Sequence, residues 1–452
     1  MLLAGKKVAV VGLGASGISA ARLCAKLGAS VVGMDEAPID TLHTCGPLGS
    51  ITGIDVRSTE FRSESFLGFD LVVVSPGVPD FESLRRATAA GVEVIGELEL
   101  AFRSLATPIA LVGGTNGKST TSALVAAIFE AAGKRVFLGG NFGTPLSDAV
   151  GGAYDVHVVE ISSFQAERVP TLRARAHALL NVTDDHLDRY ASFGDYADAK
   201  GNPFVTMTGE DVAVVPHGDL LCEKQARRGH ASRVTFGIDE NLATVAPHGD
   251  RLVHRGSGLE VARSSFRLAG THNLANACAA IGVVGAFDLG TLAEARVHIE
   301  HAFSSFEGLG HRCSLVAELD GVRYYDDSKG TNVGASVAAL VGLVEPKAVL
   351  IAGGRDKHGA YEPLVDALRA KGRALVVIGE AAERIALAAK GALRVEHAAS
   401  IDDAVRIARG LAAPGDAVLL SPACSSFDMF ANYKERGDAF VAAVRSFRGN
   451  HA

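Results

Sequence analysis

The sequence predicts an α/β protein of three domains. Buried-strand runs alternate with helical segments near both ends of the chain, a glycine-rich strand-to-helix turn lies between them, and 452 residues suffice for about three domains. Such alternation is typical of parallel, doubly wound sheets that bind ligands at the carboxyl ends of their strands. We predict a Rossmann-like parallel sheet in residues 1–96, a P-loop ATPase-like α/β domain with a small antiparallel sheet in 97–306, and a second Rossmann-like domain in 307–452.

Composition narrows the functional classes. With 48% hydrophobic and 21% charged residues, each domain can bury a core. The net charge of −7 argues against a nucleic-acid partner. No apolar run is long enough for membrane insertion, and the N-terminus lacks the apolar stretch of a signal peptide. The six cysteines form no C-x-x-C pair, so we expect reduced thiols in a cytoplasmic protein.

The first segment carries a G-x-G-x-x-G turn. It follows the strand-like residues 7–11, precedes a helix, and is followed about 20 residues later by Asp35 at the end of a second strand. A third strand, 70–74, ends at Ser75-Pro76-Gly77. The turn can hold the diphosphate of a dinucleotide or of a nucleotide-linked substrate. A tight turn without a ligand and an NAD-dependent oxidoreductase are the alternatives.

The middle segment carries Gly114-Thr115-Asn116-Gly117-Lys118-Ser119-Thr120, between an apolar strand and the helical residues 122–129. Backbone N–H groups of such a turn point at an anion, Lys118 adds a full charge, and the Ser119 hydroxyl can reach a phosphate-bound Mg²⁺. The common pattern has a glycine where this chain has Val112, so this P-loop is a short form. The alternative is a surface turn that caps a helix.

Two later strands of this segment end in polar residues. The run 155–159 leads to Glu160, which suits Mg²⁺, and the run 178–182 leads to His186, which could equally cap a turn. By spacing alone, Lys200 reads as a surface lysine of a helix. Residues 205–268 contain short strand-like pieces such as 211–215, which we interpret as the antiparallel sheet.

The third segment has strand-like runs at 348–352, 374–378 and 417–420, and helical spacing with an acidic first turn at 400–408. A glycine-rich turn at 353–357 is typical of anion binding. Other candidate charged groups are Arg312 and the run Asp326-Asp327-Ser328-Lys329, whose alternatives are a solvated surface arginine and a plain helix start.

Together these segments resemble the Mur ligase family over essentially the whole chain. The short P-loop is the family's form. The resemblance also rests on the following segments, given by number: 160–165, 181–190, 270–276, 311–312, 327–332 and 421–428.

The resemblance implies roles for individual residues. Lys118, His186 and Lys200 would be catalytic. ATP would be bound by Gly114, Thr115, Asn116, Gly117, Lys118, Ser119, Thr120, Asn273, Asn276, Arg312, Asp327 and Lys329. Two Mg²⁺ ions would be held by Ser119, Glu160, His186 and Lys200, the last as a carbamate. A UDP-linked substrate would contact Gly14, Ala15, Ser16, Asp35, Ser75, Pro76, Gly77 and Asn141. D-glutamate would contact Thr331, Lys357, Ser426 and Phe427.

The activity implied is ATP-dependent addition of D-glutamate to UDP-N-acetylmuramoyl-L-alanine, through an acyl phosphate, in peptidoglycan precursor synthesis by a cytoplasmic monomer. Asn116 favours the glutamate-adding over the alanine-adding members, and the Asp-Asn-Pro-Arg signature of diaminopimelate-adding members is absent. Asp35 lacks a basic residue after it, so the base-edge contacts stay open. Another Mur or folylpolyglutamate-type ligase, and a nucleotide-gated binding module without ligation chemistry, are the remaining alternatives.

Overall fold

The computed structural model describes residues 3–38, 53–185, 189–239, 242–268, 270–357 and 359–447. By its internal contacts the chain divides into two compact units. One unit comprises 1–182, 192–266 and 276–305, and the other 183–191, 267–275 and 306–452. Three sheets lie within residues 7–96, 109–262 and 314–420, in accord with the predicted three-part α/β architecture. The domain boundaries after residues 96 and 306 stay predictions.

The first sheet is entirely parallel, with strand order β3-β2-β1-β4-β5. Because β1 lies between β2 and β4, the chain after β1 is at the point where the strand order reverses, which is where open α/β sheets bind ligands. Its elements are β1 Lys7–Val11, α1 Ala15–Lys26, β2 Ser30–Asp35, β3 Ile54–Ser58, β4 Leu71–Val74, α2 Glu82–Ala89, β5 Glu93–Gly96 and α3 Glu97–Phe102.

The second sheet has nine strands in the order β14-β13-β12-β11-β10-β9-β6-β8-β7. Its first elements are β6 Ile109–Gly113, α4 Lys118–Ala131, β7 Val136–Gly140, β8 Val156–Glu160, α5 Ser163–Ala166, β9 Ala176–Leu179 and α6 Phe193–Gly201. They are followed by β10 Val212–Pro216, α7 Leu220–Ala226, β11 Ser232–Phe236, β12 Val245–His248, β13 Arg251–His254, β14 Leu259–Ala262, α8 Thr271–Val284 and α9 Leu292–Ser305.

The antiparallel strands predicted in 205–268 are β12, β13 and β14, and they continue the central sheet. The strand β10, which we took as an example of them, instead pairs in parallel with β9 and β11. Its residues 213–215 are buried on both faces of the sheet, which is the pattern of an interior parallel strand.

The third sheet has the order β15-β16-β20-β17-β18-β19, and only the β15–β16 pair is antiparallel. Since β20 lies between β16 and β17, the polar loops after these three strands meet at one sheet edge. The elements are β15 Ser314–Leu319, β16 Val322–Asp326, α10 Val333–Gly342, β17 Ala348–Gly353, α11 Glu362–Lys371, β18 Gly372–Ile378, α12 Ala382–Ala388, β19 Arg394–His397, α13 Ile401–Leu411, β20 Ala417–Leu420 and α14 Tyr433–Ser446.

Local signals set the helix starts of this last unit. Ser400 caps α13 by accepting a hydrogen bond from the Asp403 backbone, as the acidic first turn predicts. The Asn332 side chain caps α10 in the same way. Asp326 therefore ends β16 and residues 327–332 form the loop before α10, so the alternative of a helix start at 326–329 is wrong. Among the described residues, none of the helices combines the length and apolarity needed to cross a membrane.

Candidate active site

The P-loop lies between β6 and α4, where the sequence places it. Gly114 has φ +136° and Gly117 has φ +83°, a backbone region that residues with a side chain rarely adopt. A Cβ atom at Gly117 would come within 2.5 Å of the Asn276 Oδ1 atom on α8. The turn therefore requires glycine at residue 117. At the N-terminus of α4, backbone N–H groups and the partial positive charge of the helix both face the space in front of this turn.

Side chains from two further strands reach this turn. The Ser119 hydroxyl donates a hydrogen bond to the Glu160 carboxylate at the end of β8. The Asn141 amide donates to the other Glu160 oxygen at 2.7 Å. The resemblance predicts Asn141 near the UDP-linked substrate, and the structure places its amide on Glu160, the carboxylate that contacts the P-loop.

Lys200 is buried, so its interpretation as a surface lysine from spacing alone is wrong. Its Nζ donates to the Gly114 carbonyl at 2.8 Å and lies 4.6 Å from the centre of the Tyr196 ring. The Tyr196 hydroxyl is 2.9 Å from the Thr115 Oγ1 atom. Tyr196 and Lys200 are four residues apart on α6 and share a helix face, a signal that we missed in the sequence.

The loop is also held by the Lys118 side chain from within it and by the Asn181 side chain from the segment after β9. The Lys118 Nζ donates to the Thr115 carbonyl at 2.8 Å. The Asn181 side chain accepts from the Asn116 N–H at 2.9 Å and donates to the Asn116 carbonyl at 3.1 Å. Thr120 is buried at the start of α4. Asn181, in the segment after β9, thus pairs with the backbone of Asn116 in the middle of the P-loop.

The oxygen donors around the turn fit a hard cation. A hydroxyl and a carboxylate are already paired at Ser119 and Glu160, and Mg²⁺ binds oxygen while taking few protein ligands. Within the part of the chain that the structure describes, no group of three or more His, Cys, Asp or Glu side chains forms a metal cluster. His186 lies outside the described residues.

The glycine-rich turn after β1 is held by the side chains of Ser75 and Asp35, which follow β4 and end β2. Gly12 has φ +84°, and its carbonyl accepts a hydrogen bond from the Ser75 hydroxyl at 2.6 Å. The Asp35 carboxylate accepts from the Leu13 N–H at 2.6 Å and from the Ala37 N–H at 2.9 Å. The remaining predicted contacts of a UDP-linked substrate are exposed or half-buried around this turn, and they are Gly14, Ala15, Ser16, Pro76 and Gly77.

In the C-terminal unit, Asp327 lies in the loop after β16. Its carboxylate accepts from the Ser421 hydroxyl at 2.6 Å and from the Cys313 N–H at 3.1 Å. Burial raises the pKa of Asp327 to about 7, although the bond from Ser421 and the charge of Arg312 act in the opposite direction. The Lys329 Nζ lies 4.2 Å from the centre of the Tyr433 ring.

The residues predicted to receive an amino acid lie on the three loops that follow β16, β17 and β20. The Lys357 Nζ is 3.2 Å from one Asp185 oxygen, and the Asn332 amide donates to the other at 3.1 Å. Asp185 was not among the predicted residues. Three further candidates are half-buried, buried and exposed respectively, and they are Thr331, Ser426 and Phe427.

Sequence reasoning missed Arg436, the largest fully buried side chain of the described residues. Its guanidinium donates to the carbonyls of Ser328 at 2.9 Å and of Cys424 at 3.2 Å. Burial lowers the pKa of Arg436 to about 10, which still leaves the group protonated at neutral pH. Arg436 therefore ties the loop after β16 to the loop after β20.

The predicted adenine residues lie on the first turns of α8. Asn276 is buried and Asn273 is half-buried. Asn276 is the residue whose Oδ1 atom borders Gly117, so one of the two stands directly at the P-loop. Their spacing of three places them on one helix face, as the sequence predicts.

Comparison with known proteins adds independent evidence. Three domain descriptions match in order: Mur ligase MurD-like N-terminal domain over residues 6–96, Mur ligase middle domain over 112–284, and Mur ligase glutamate ligase domain over 311–424. UDP-N-acetylmuramoylalanine–D-glutamate ligase of Geobacter metallireducens is 42% identical over 99% of this chain and 98% of its own. The enzyme of the same name from Trichlorobacter lovleyi is 41% identical over 98% of this chain and 100% of its own.

Solved structures agree on the fold. UDP-N-acetylmuramate-alanine ligase MurC from Thermotoga maritima has a TM-score of 0.57 at 20% identity, over 98% of this chain and 99% of that one. MurF ligase from Thermotoga maritima, solved in complex with ADP, has a TM-score of 0.60 at 14% identity, over 100% and 96%. The three matching domains and the full-length relatives together establish that this chain belongs to the Mur ligase family.

Proposed function

We propose that this chain is an ATP-dependent ligase that joins D-glutamate to UDP-N-acetylmuramoyl-L-alanine during peptidoglycan precursor synthesis. The observation that carries the proposal is the phosphate cradle of the P-loop, in which Ser119 meets Glu160, within a chain that is 42% identical over 99% of its length to a D-glutamate ligase. The glutamate ligase domain matched over residues 311–424 supports the amino-acid substrate.

The reaction forms an amide bond at the expense of ATP. The carboxylate of the UDP-linked substrate attacks the γ-phosphorus, the bond from that phosphorus to the β–γ bridging oxygen breaks, and ADP leaves. The D-glutamate amine then attacks the resulting acyl phosphate, the tetrahedral intermediate expels inorganic phosphate, and the amine loses a proton. Positioning and charge stabilisation are the main tasks of the protein in such chemistry.

The P-loop supplies much of that charge stabilisation. We propose that Lys118 moves its ammonium from the Thr115 carbonyl to the β- and γ-phosphates. The remaining P-loop backbone, together with Asn273, Asn276, Arg312, Asp327 and Lys329, would hold the nucleotide. Two Mg²⁺ ions, which offset repulsion between carboxylate and triphosphate when bound, would be held by Ser119, Glu160, His186 and Lys200.

Carbamylation of Lys200 suits its surroundings. Its Nζ is 2.8 Å from the Gly114 carbonyl, and the side chain is 5% exposed, so an ammonium here is a buried cation beside a metal site. A carbamate would replace that cation with two oxygen ligands. The tyrosine ring of Tyr196 would then cover one side of the modified group.

The remaining assignments are also proposals. The turn after β1, with Asp35 and Ser75, would bind the UDP moiety, and Asn141 would lie near the sugar-linked end of that substrate. Lys357, with Thr331, Ser426 and Phe427, would receive D-glutamate. We further propose that the protein is cytoplasmic, since the five described cysteines are free thiols. We also propose that it is a monomer, with domains at residues 1–96, 97–306 and 307–452.

A phosphate-release assay tests the function. Purified protein is supplied with ATP, Mg²⁺, UDP-N-acetylmuramoyl-L-alanine and, in separate reactions, D-glutamate, L-glutamate, L-alanine or meso-diaminopimelate. We expect phosphate release with D-glutamate alone among these four. Release with another amino acid would reassign the substrate, and absence of release with all of them would overturn the ligase. Nicotinamide absorbance after addition of NAD, measured in parallel, tests the oxidoreductase.

A further inference from the structure

The backbone around Arg312 is strained on both sides. Among the described residues, four that are not glycine have a positive φ, and two of them are His311 at +61° and Cys313 at +51°. Residues with a side chain persist in this region only where their surroundings fix them, and such strain clusters at functional sites. The direction of the Arg312 side chain therefore depends on what fixes its two neighbours.

Three contacts fix them. The His311 Nδ1 atom is 2.6 Å from the Asp326 Oδ2 atom, and the His311 carbonyl accepts from the Lys329 N–H at 3.1 Å. The Cys313 N–H donates to Asp327 at 3.1 Å. Each strained residue is thus bound to one carboxylate of the Asp326–Asp327 pair.

Asp326 is itself held rigidly. It is the last residue of β16, 2% exposed, and its second oxygen accepts from the Ser328 N–H at 3.0 Å. The His311 ring fits beside it because residue 437 is glycine, since a Cβ atom there would lie 2.1 Å from the His311 Nδ1 atom. On the far side of the ring, the exposed Asp438 is 3.7 Å from Nε2.

We propose that Asp326 is a positioning residue which, through His311, directs Arg312 to a nucleotide phosphate. The inference rests on the proposed function, which gives Arg312 its role at the nucleotide, and it adds a role for Asp326, which had none. Asp326 itself would not contact the nucleotide. It fixes the strained turn that presents the guanidinium.

The test compares Asp326→Ala with Asp438→Ala, which removes a carboxylate from the other side of the same ring. We measure the KM for ATP and for D-glutamate, and the Kd for ATP by calorimetry on the full chain. Loss of a buried, charge-assisted hydrogen bond is expected to raise the ATP KM and Kd about tenfold. The D-glutamate KM should stay within about twofold of the wild-type value, as a selective effect on one hydrogen bond requires. Asp438→Ala should match the wild type.

A double-mutant cycle with Arg312→Ala separates positioning from general damage. If Asp326 acts through Arg312, the double variant Asp326→Ala/Arg312→Ala should have the same ATP Kd as Arg312→Ala alone. Additive losses, or an equal rise in the KM for D-glutamate, would overturn the proposal. Should Asp326→Ala fold poorly, His311→Gly removes the ring while permitting the same φ, and it should weaken ATP binding equally. A wild-type protein without ATP-dependent phosphate release would instead refute the proposed function.

Discussion

Two glycine-rich turns join a strand to a helix within one compact unit, and their charged neighbours differ. The P-loop carries a cation at Lys118 and a hydroxyl at Ser119, which contacts the Glu160 carboxylate. The turn at residues 12–17 contains no lysine or arginine, and its nearest acid, Asp35, accepts a hydrogen bond from the Leu13 backbone. Under the proposed function, the same backbone device would hold a triphosphate with its metal at the P-loop and a less charged nucleotide-linked group at the other turn.

The glycines of the two turns also serve different purposes. A Cβ atom at Gly17 would lie 1.8 Å from the Gly12 carbonyl oxygen, so that glycine lets α1 pack closely against its strand. A Cβ atom at Gly14 would meet no atom within 4 Å, so the space above it is open to a ligand. A Cβ atom at Gly117 would instead meet the side-chain Oδ1 atom of Asn276, a proposed adenine contact.

The largest expected effect comes from Lys118→Ala. Loss of this charge should reduce ADP formation by about a hundredfold or more, because we propose that the cation acts on the transferring phosphate. The Kd for UDP-N-acetylmuramoyl-L-alanine should stay near the wild-type value if the turn at residues 12–17 binds that substrate by itself. Calorimetry and phosphate release measure the two quantities, and Lys134→Ala, an exposed lysine after the same helix, is the control. A parallel loss of UDP-substrate affinity would contradict the separation of the two turns.

Lys200→Ala tests what the buried side chain beside the P-loop contributes. We expect turnover to fall by about a hundredfold, since a proposed metal ligand is removed, with partial recovery when acetate or formate is added. The exposed Lys224→Ala on α7 should behave as wild type with and without these carboxylates. Turnover at the wild-type level, or a variant that no carboxylate improves, would argue against the carbamate.

The two turns were readable from sequence because their signals are local. Glycine spacing, a preceding strand and a following helix all fall within about 20 residues, and the structure places both turns where they were predicted. Glu160 and Asp35 could be selected as candidate site residues because each ends a strand, and polar residues at strand ends collect at one edge of a parallel sheet.

Contacts between distant segments were not readable in this way. Asp185 reaches Lys357, and Arg436 reaches Ser328 across more than 100 residues of chain. Hydrophobic periodicity identifies the elements but does not say which loops meet, since that depends on strand order. The burial of Lys200 was missed for a different reason, because the surface interpretation used spacing alone and left out Tyr196 on the same face of α6.

Gly14→Ala sharpens the comparison at the first turn. The fold should tolerate the Cβ atom, since φ at this residue is −69° and no atom lies within 4 Å of the added group. The methyl group would nevertheless occupy the space that we propose for the pyrophosphate, so we expect the KM for the UDP-linked substrate to rise about tenfold. The KM for ATP should not change. Gly68→Ala, which also has open space around its Cβ position, is the control, and an unchanged UDP-substrate KM in Gly14→Ala would move that site elsewhere.

The smallest expected effect on turnover comes from Glu97, at the start of α3. This carboxyl accepts a hydrogen bond from the Ser147 N–H at 2.6 Å, and among the described residues its second oxygen has no hydrogen-bond partner. Burial raises the pKa of Glu97 from 4.5 to about 7, so the folded state holds a proton that the unfolded chain releases. The proton on Glu97 therefore contributes stability that is fully present below pH 4.5 and is lost as the pH rises to about 7.

Glu97→Gln stays neutral throughout, so its Tm should exceed that of the wild type at pH 8 and match it near pH 4.5. Glu93→Gln should have the opposite sign at neutral pH, because the hydrogen bond from Arg103 lowers the pKa of Glu93 and favours its charged form. Thermal unfolding between pH 4.5 and 8 measures both variants. Because Glu97 bonds to the segment after β7 and to neither glycine-rich turn, the KM values for ATP and the UDP-linked substrate should stay at wild-type levels. A change in only one of them would couple this buried acid to that turn.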